Sequence, residues 1–241
     1  MQLPHQNPVD NPQGRASMLL VCDHASNFVP AGFGALGLGL RQLEDHIAWD
    51  IGARALAREL AVLLDAPLVC ARASRLLVDP NRAFDAADLI PAEADGNPIP
   101  GNIGLDAGDR RTRIDAFHEP YHAAIEAALA ARPWITGVVS VHSFTPRLNG
   151  FDRPWHVGIL HDEDARLADR LIAALSAHRD ITVGRNQPYA PDDGVYYTLG
   201  RHAAGREAAM IEVRNDQLRD EIGQQRWAKL LADALGATIT A

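Results

Sequence analysis

The feature that most constrains the fold is an alternation between short apolar runs and longer amphipathic segments. The run "SMLLVCD" is almost wholly apolar, and the segment "EDHIAWDIGARALARELAVLLD" that follows has apolar residues at helical spacing. A short apolar run is typical of a strand buried on both faces, and strands that alternate with helices favour a largely parallel sheet. The sequence therefore predicts an α/β fold whose ligands bind near the carboxyl ends of the strands.

The rest of the chain continues this pattern. Further strands are predicted at "PLVCARAS", "ITGVVSVHS", "HVGILHD", "ITVGR" and "AAMIEVRND". Further helices are predicted at "DRRTRIDAFHEPYHAAIEAALAARP", interrupted or kinked at Pro120, at "EDARLADRLIAALSAH", and in a closing segment through Leu235. No internal repeat or second-domain linker interrupts the alternation, which indicates one domain.

The domain boundaries follow from composition. Residues 1–16 are polar and rich in Pro and Asn, so we expect an N-terminal arm there and a single α/β domain over residues 17–241. A polar, Pro- and Gly-rich excursion from Asp79 to Gly108 is too long for a plain connection. We expect this excursion to be a functional loop or lid that shapes the substrate pocket.

Charge and composition narrow the classes of partner. The net charge is -8, and no cluster of Lys and Arg is interleaved with aromatic residues, so the pattern of a nucleic-acid or anionic-membrane binder is missing. We therefore expect a small-molecule substrate and neither nucleic acid nor membrane as partner. The absence of a basic leader and of an 18-residue apolar window predicts a cytoplasmic protein. Cys22 and Cys70 lie in apolar runs and are expected to belong to the core.

Residues that can carry chemistry fall at or near the predicted strand ends. His24 follows the first strand, His142 ends "GVVSVHS", and Glu212 lies on "MIEVRND". A mononuclear hydrolytic zinc site takes three protein ligands from His, Asp and Glu and leaves a fourth position for water. A lone histidine at a strand end is more often a structural residue, so it is the meeting of two histidines and acidic residues at one sheet edge that favours a metal site.

The third ligand of this predicted zinc site must be acidic. Asp23 adjoins His24, but neighbouring strand residues point to opposite faces, so Asp23 is expected to act behind the ligands. Asp50 is the better candidate because it lies early in the next helix, in a segment that packs back against the strand ends. A solvated helical acid is the alternative interpretation of Asp50. His24, Asp50 and His142 are therefore the candidate ligands of a zinc site, and the identity of the acidic ligand stays open at this point.

Two further patterns bear on the site. The period of two in "MIEVR" places Glu212 and Arg214 on one face of a strand, where both can face the site, although a structural ion pair is the alternative.

His118 and His122 are four residues apart in "FHEPYH", a spacing that can bind metal on a helix, but Pro120 between them disrupts regular helical geometry. His122 is therefore expected to line the substrate site.

Seven ordered motifs together resemble N-formylglutamate amidohydrolases over roughly Leu19 to Gln225. These motifs are "CDHASNFVP", "AWDIGARALA", "SRLLVDPNR", "FHEPYH", "VSVHSFTP", "DDGVYYTLGRHA" and "MIEVRND". The resemblance implies a metal-dependent hydrolase with a three-layer α/β/α sandwich around a central, mostly parallel mixed sheet, similar to zinc carboxypeptidases and aspartoacylase. In those relatives the first zinc ligands come as His-x-x-Glu, whereas Asn27 occupies the glutamate position here, which strengthens Asp50 as the acidic ligand.

The resemblance also implies roles for other residues. The "DPNR" segment looks like the Asn-Arg pair with which aspartoacylase-like enzymes hold a substrate carboxylate, so Asn81 and Arg82 are expected to bind substrate. Arg75 and Arg214 are further candidates, since arginine suits bidentate recognition of carboxylates. Glu212 resembles the catalytic glutamate of those enzymes and is expected to transfer protons.

The implied reaction is hydrolysis of the formyl amide of an N-formylated acidic amino acid to formate and the free amino acid. Two alternatives stay open from the sequence. An amidase for another N-acyl amino acid or a small peptide would use the same metal and differ in the pocket. A non-catalytic small-molecule binding protein on the same fold would need neither zinc nor Glu212.

Overall fold

A seven-stranded sheet forms the centre of the computed structural model, which describes residues 9–239 and the side chains through residue 236. The strands of the chain are β1 (Val9–Asp10), β2 (Met18–Cys22), β3 (Leu68–Cys70), β4 (Glu93–Ala94), β5 (Asn97–Pro98), β6 (Gly137–Phe144), β7 (Arg147–Leu148), β8 (Phe151–Asp152), β9 (Val157–Leu160), β10 (Val183–Arg185) and β11 (Glu207–Arg214). Two of the pairs, β4 with β5 and β7 with β8, form small separate hairpins.

The order of strands across the large sheet is β1, β3, β2, β6, β11, β9, β10. The four strands from β3 to β11 in this order are parallel to one another, and β9 is parallel to β10. The pairs β1 with β3 and β9 with β11 are antiparallel. The sheet is therefore mixed and mostly parallel, as the sequence predicts. Strand β1 falls inside the predicted N-terminal arm, and residues 1–8 of that arm lie outside the described residues.

Helices cover both faces of this sheet. They are α1 (Leu40–Leu43), α2 (Ala53–Leu64), α3 (Ala107–Arg113), α4 (Glu119–Ala130), α5 (Arg166–Ser176), α6 (Tyr197–His202) and α7 (Glu221–Ile239). Helices α2, α5 and α7 share one core with Leu20 and Val139, whereas α4 and α6 share the other with Leu19 and Val138. Adjacent strand residues face opposite cores because side chains alternate along a strand. The result is the predicted three-layer α/β/α sandwich.

The first long helix begins later than the sequence predicts. Turns occupy residues 44–52, and α2 starts only at Ala53. Gly52 has a φ of +83°, which side chains rarely adopt, and a Cβ atom there would lie 2.5 Å from Cβ of Leu218. This break leaves Asp50 in a loop instead of on the helix, and its amide donates to the carbonyl of His24 at 3.0 Å.

The predicted interruption of the next helix lies before Pro120 and not at it. A π-helical turn over Ile114–His118 joins α3 to α4, and Pro120 occupies the first turn of α4. Proline is tolerated there because its missing N–H would have no helical partner. The wide turn accompanies complete burial of both His118 and His122.

The long excursion after Asp79 is packed against the domain. It contains the hairpin of β4 and β5 and a 3-10 turn at Pro100–Asn102. Its side chains Leu89, Ile90 and Ile99 are buried in a third small core. The excursion therefore packs into a core that it shares with residues outside it, such as Leu36 and Phe117.

Two other expectations concern single features. Cys22 and Cys70 are buried and carry no disulfide, which agrees with the predicted core role. Within residues 9–239, no helix combines the length and apolar character that crossing a membrane requires.

Candidate active site

Neighbouring parallel strands bring the predicted site residues to one edge of the sheet. His24 follows β2 by two residues, His142 lies near the end of β6, and Glu212 on β11 is the register partner of His142. Strands β2, β6 and β11 are adjacent, so their carboxyl ends meet. Asp50 joins them from the loop that precedes α2. These four residues line a single cavity.

His24, Asp50 and His142 form a compact donor set. Each offers one ligand atom, and the three atoms lie within 4.8 Å of one another. The Nδ1 atom of His142 is 2.8 Å from Oδ2 of Asp50, and Nδ1 of His24 is 3.4 Å from Oδ1 of the same carboxylate. Two imidazole nitrogens and a carboxylate oxygen are donors that zinc accepts. The donor set fits a divalent metal, and binding by these three residues stays a prediction.

Each of the two histidines is also hydrogen-bonded by a second buried carboxylate. Nε2 of His142 lies 2.7 Å from Oδ2 of Asp23, and Nε2 of His24 lies 2.8 Å from Oδ1 of Asp79. A carboxylate that accepts the Nε2 proton fixes the ring orientation and leaves Nδ1 as the atom that can bind a metal. Both Nδ1 atoms face Asp50. The two rings are therefore oriented for binding through the same atom.

Asp23 lies behind His142, as its position in the sequence predicts. Its Oδ1 atom accepts hydrogen bonds from Tyr121 at 2.9 Å and Thr198 at 2.6 Å, and its Oδ2 atom accepts one from Ser140 at 2.7 Å. Burial by itself raises the pKa of Asp23, but the hydrogen bond and charge of His142 outweigh it and bring the pKa below its ordinary value. The carboxylate therefore stays ionised inside the protein and can fix the His142 ring.

The metal-free donor set is charged. Burial opposes a charge on His142, but its hydrogen bonds to Asp23 and Asp50 hold the pKa of His142 well above the ordinary value. Burial likewise raises the pKa of Asp50, while the charge of His24 and the hydrogen bond with His142 bring it far below the ordinary value. A metal ion on these nitrogens must replace protons, so metal affinity should fall as the pH is lowered.

Glu212 is in a different electrostatic state from the other carboxylates of the cavity. Its Oε2 atom is buried and has no hydrogen-bond partner among the described residues. Burial raises the pKa of Glu212 to about 7, with the charge of His142 opposing the rise and that of Asp50 adding to it. A carboxyl group that titrates near neutral pH can both accept and release a proton during a reaction.

Two arginines line the same cavity. Arg75 donates to Oδ2 of Asp79 at 2.6 Å, and its Nη1 atom lies 3.1 Å from Nδ1 of His24. Arg82 donates through Nε to Oδ2 of Asp88 at 2.7 Å. The carboxylate of Asp79 thus contacts His24 and Arg75, whereas the side chain of Arg82 pairs with Asp88. Both arginines bring positive charge to the cavity.

Asn81 lines the cavity, but both polar atoms of its side-chain amide are hydrogen-bonded within the protein. Oδ1 accepts a hydrogen bond from the amide of Thr198 at 2.9 Å, and Nδ2 donates to the carbonyl of Val195. The amide of Asn81 also donates to Oδ1 of Asp79 at 2.9 Å. Asn81 therefore fixes the loop that carries Asp79 and Arg82, and its expected contact with substrate stays a prediction.

Arg214 and His122 are not among the residues that line this cavity, and their expected contact with substrate stays a prediction. Arg214 ends β11 and donates to Asp216 at 2.8 Å, because the chain turns there and brings that carboxylate alongside. His122 is completely buried behind the loop, where its Nε2 atom lies 2.9 Å from the carbonyl oxygen of Pro80. Its Nδ1 atom lies 2.8 Å from Nε2 of His202.

The structure adds two residues that sequence reasoning missed. Asp79 orients His24, and the available signal was an acidic residue directly after the apolar run of "LLVDPNR". Tyr189 lines the cavity, with the guanidinium of Arg153 at 4.8 Å from its ring centre. It lies in an irregular segment, where neither helical nor strand periodicity indicates which side chains face a site.

Comparison with known proteins identifies the family of the chain and supports its fold. A family model described as N-formylglutamate amidohydrolase matches residues 16–219. The crystal structure of gene product Atu2144 from Agrobacterium tumefaciens is 40% identical, with a TM-score of 0.93 over 96% of this chain and 94% of that chain. The N-acetylmuramoyl-L-alanine amidase AmiC2 of Nostoc punctiforme is 13% identical, with a TM-score of 0.46 over 95% of this chain and 100% of that chain. No curated protein gives a significant match. The match over most of its length shows that the chain belongs to the N-formylglutamate amidohydrolase family.

Proposed function

We propose that this protein is a metal-dependent amidohydrolase that cleaves the formyl amide of N-formylglutamate, or of a closely similar N-acyl amino acid, to formate and the free amino acid. The observation that carries the proposal is the placement of Glu212. This buried carboxyl, whose pKa is raised to about 7, shares one cavity with the donor set of His24, Asp50 and His142. Family membership supports the same reaction class.

The metal proposed for this site is zinc, held by His24, Asp50 and His142. A bound divalent metal supplies a Lewis acid that polarises an amide carbonyl and lowers the pKa of water. The protein contributes the orientation of the two rings, because Asp23 and Asp79 accept their Nε2 protons.

Glu212 is proposed to move the proton of the reaction. It would take a proton from the attacking water, whose oxygen forms a bond to the formyl carbon. As the bond from that carbon to nitrogen breaks, Glu212 would return the proton to the leaving nitrogen, which departs as the free amine. In the metal-free protein, burial raises the pKa of Glu212 to about 7, and this environment makes the carboxylate a stronger base for the proton of water than an exposed glutamate.

Arg82 is proposed to select the substrate through a carboxylate. A guanidinium binds a carboxylate through two parallel hydrogen bonds, which fixes both charge and geometry. Arg75 lines the same cavity and adds a second positive charge beside the metal site. The resulting preference is for a small anionic substrate, with its amide directed toward Glu212.

A second candidate is an amidase for longer N-acyl amino acids or small peptides. A wider groove adjoins the catalytic cavity and shares His46, Arg75 and Arg82 with it, so a longer substrate could extend there. The reaction and the proton transfer would be the same, and the substrates would differ in length.

A substrate panel tests these proposals. The protein is stripped of metal, reloaded with one equivalent of zinc, and assayed on N-formyl amino acids, N-acetyl amino acids and N-formyl dipeptides, with formate, acetate and the free amine measured separately. We expect formate and glutamate in equal amounts from N-formylglutamate, and no reaction without metal. Preference for dipeptides would favour the second candidate, and absence of turnover on the whole panel would instead support a binding protein.

A further inference from the structure

The ion pair of Arg82 and Asp88 lies where the catalytic cavity opens into the wider groove. Arg82 lines both spaces, whereas Asp88 lines only the groove. The Nε atom of Arg82 donates to Oδ2 of Asp88 at 2.7 Å. The side chain of Arg82 is 12% exposed and that of Asp88 is 58% exposed, so a largely enclosed cation is paired with a carboxylate that reaches it from solvent.

Backbone carbonyls hold the Arg82 guanidinium in addition to this carboxylate. Its Nη1 atom donates to the carbonyl oxygens of Asn81 and Gly194, each at 3.2 Å. The backbone around Arg82 is also fixed, since His118 donates to its carbonyl oxygen at 3.1 Å and its amide donates to the carbonyl of Asp79 at 3.2 Å. Asp88 therefore contacts the edge of a guanidinium that the backbone already holds in place.

That edge is where a substrate carboxylate would bind. A guanidinium presents its Nε and one terminal nitrogen as a fork for one carboxylate in its plane. With Nη1 already donating to two carbonyls, the Nε edge is the one that can exchange partners. An ion pair with one exposed member is weak, because water competes for the carboxylate and the side chain loses freedom when it is held.

We propose that Asp88 occupies the carboxylate site of Arg82 in the free protein and is displaced when an anionic substrate binds. The inference rests on the proposed role of Arg82 in the function above. Asp88 is then a specificity-determining residue. A small dicarboxylate or N-acylated acidic amino acid replaces one ion pair with another, whereas a neutral ligand gains nothing at Arg82.

Binding of glutarate, a dicarboxylate that needs no catalysis, tests this inference by calorimetry on the zinc-loaded protein. Asp88→Asn removes the competing charge and should tighten glutarate binding roughly threefold to fivefold, the range of an exposed ion pair. The matched control is Asp85→Asn, which removes the same charge from an exposed residue of the same loop that lines neither space, and should leave the affinity unchanged. Glutaramide, the neutral analogue, should bind Asp88→Asn and wild type equally.

A double-mutant comparison completes the test. In an Arg82→Gln background, Asp88→Asn should no longer tighten glutarate binding, since the cation that both carboxylates share is gone. Weaker or unchanged glutarate binding in Asp88→Asn would overturn the inference, as would an equal gain in Asp85→Asn or for glutaramide. Tighter binding without any turnover of N-formylglutamate would uphold the role of Asp88 while the proposed function fails.

Discussion

Among the residues that the structure describes, the buried histidines form two groups, and only one of these groups has the surroundings of a metal centre. His24 and His142 each meet a carboxylate at both ring nitrogens. The second group is His118, His122 and His202, in which the hydrogen-bond partners are backbone carbonyls and another imidazole. Both groups consist of buried histidines that lie close together. The carboxylates around His24 and His142 are therefore what makes the first group suited to bind a metal ion.

The pKa directions of the two groups are opposite. Burial disfavours the charged form of every one of these rings, but the charges of Asp79 and Asp50 raise the pKa of His24 above its ordinary value despite it. In the second group, burial lowers the pKa of His122 to about 3 and that of His202 to about 4. The first group is therefore a charged cluster that can exchange protons for a metal ion, and the second is a neutral part of the core.

The neutral group supports the charged one. His122 is hydrogen-bonded to the carbonyl of Pro80 and His118 to the carbonyl of Arg82, on either side of Asn81. The two histidines thereby fix the loop that carries Asp79. The conspicuous "FHEPYH" segment thus positions the site without lining the catalytic cavity.

The largest expected effect separates the two groups by metal content. His142→Ala removes one of the three proposed protein ligands and should abolish stoichiometric zinc binding together with activity, whereas His202→Gln should retain about one zinc per chain. Elemental analysis after dialysis against a weak chelator measures both. Full occupancy in His142→Ala, or its loss in His202→Gln, would reverse the comparison.

The next effect separates the proposed proton transfer by Glu212 from metal binding by the neighbouring donor set. Glu212→Gln should keep zinc and lower kcat roughly 100-fold or more, because the variant cannot accept the proton of water. Glu207→Gln on the same strand is the matched control, since Glu207 pairs with Arg170 away from the cavity and its loss should leave kcat unchanged. Loss of zinc in Glu212→Gln would make Glu212 a ligand, and near-normal turnover would remove it from the mechanism.

A smaller effect on zinc affinity tests whether a carboxylate hydrogen-bonded to the ring of His142 makes this histidine suited to bind metal. Asp23→Asn keeps the size of the side chain but can no longer stabilise a charge on His142, so zinc affinity should fall roughly 10- to 100-fold. Competition with a coloured chelator measures the dissociation constant at fixed pH. An unchanged constant would mean that the ring of His142 is oriented without Asp23.

The smallest effect concerns the pH dependence of stability in the metal-free protein. His202 has a folded pKa of about 4, below the ordinary value, so between these values the unfolded chain binds a proton that the folded protein does not. The contribution of His202 to the free energy of unfolding therefore falls as the pH is lowered from 7 to 4.5, by roughly 1 kcal/mol once solvent screening is allowed for. Urea unfolding of His202→Gln should show a correspondingly smaller loss over this interval.

The rings of His24 and His142 should contribute to the pH dependence of stability with the opposite sign. Because the pKa of His142 is raised in the fold, its charged form stabilises the metal-free protein at low pH, and this contribution declines as the pH rises through the folded pKa. If wild type and His202→Gln lost the same free energy of unfolding between pH 7 and 4.5, the neutral state assigned to the second group would be contradicted.

The sheet and the metal candidates were predictable because their signals are local. Apolar runs and helical spacing indicate strands and helices from a few residues, and the carboxyl ends of parallel strands meet at one edge. His24 and His142 therefore fall together once the strands are placed. Asp50 was found from its place in the chain, although it lies in a loop and not on the predicted helix.

The other features depend on contacts between distant segments. Gly52 breaks the predicted helix because Leu218, far along the chain, packs against it. Whether His122 faces substrate depends on the π-helical turn before α4, and the partner of Arg214 depends on the turn after β11. Tyr189 reaches the cavity from an irregular segment that has no periodic pattern. Each of these features is set by tertiary packing between distant segments, so a local sequence pattern does not predict it.

The most direct measurement of the central claim is anomalous diffraction at the zinc absorption edge from crystals soaked in zinc. The account predicts one strong peak per chain, bound by the Nδ1 atoms of His24 and His142 and by the carboxylate of Asp50, with Asp23 and Asp79 still hydrogen-bonded to the two Nε2 atoms. A peak among the histidines of the neutral group, binding through Nε2 of either ring, or no peak in the cavity would contradict it.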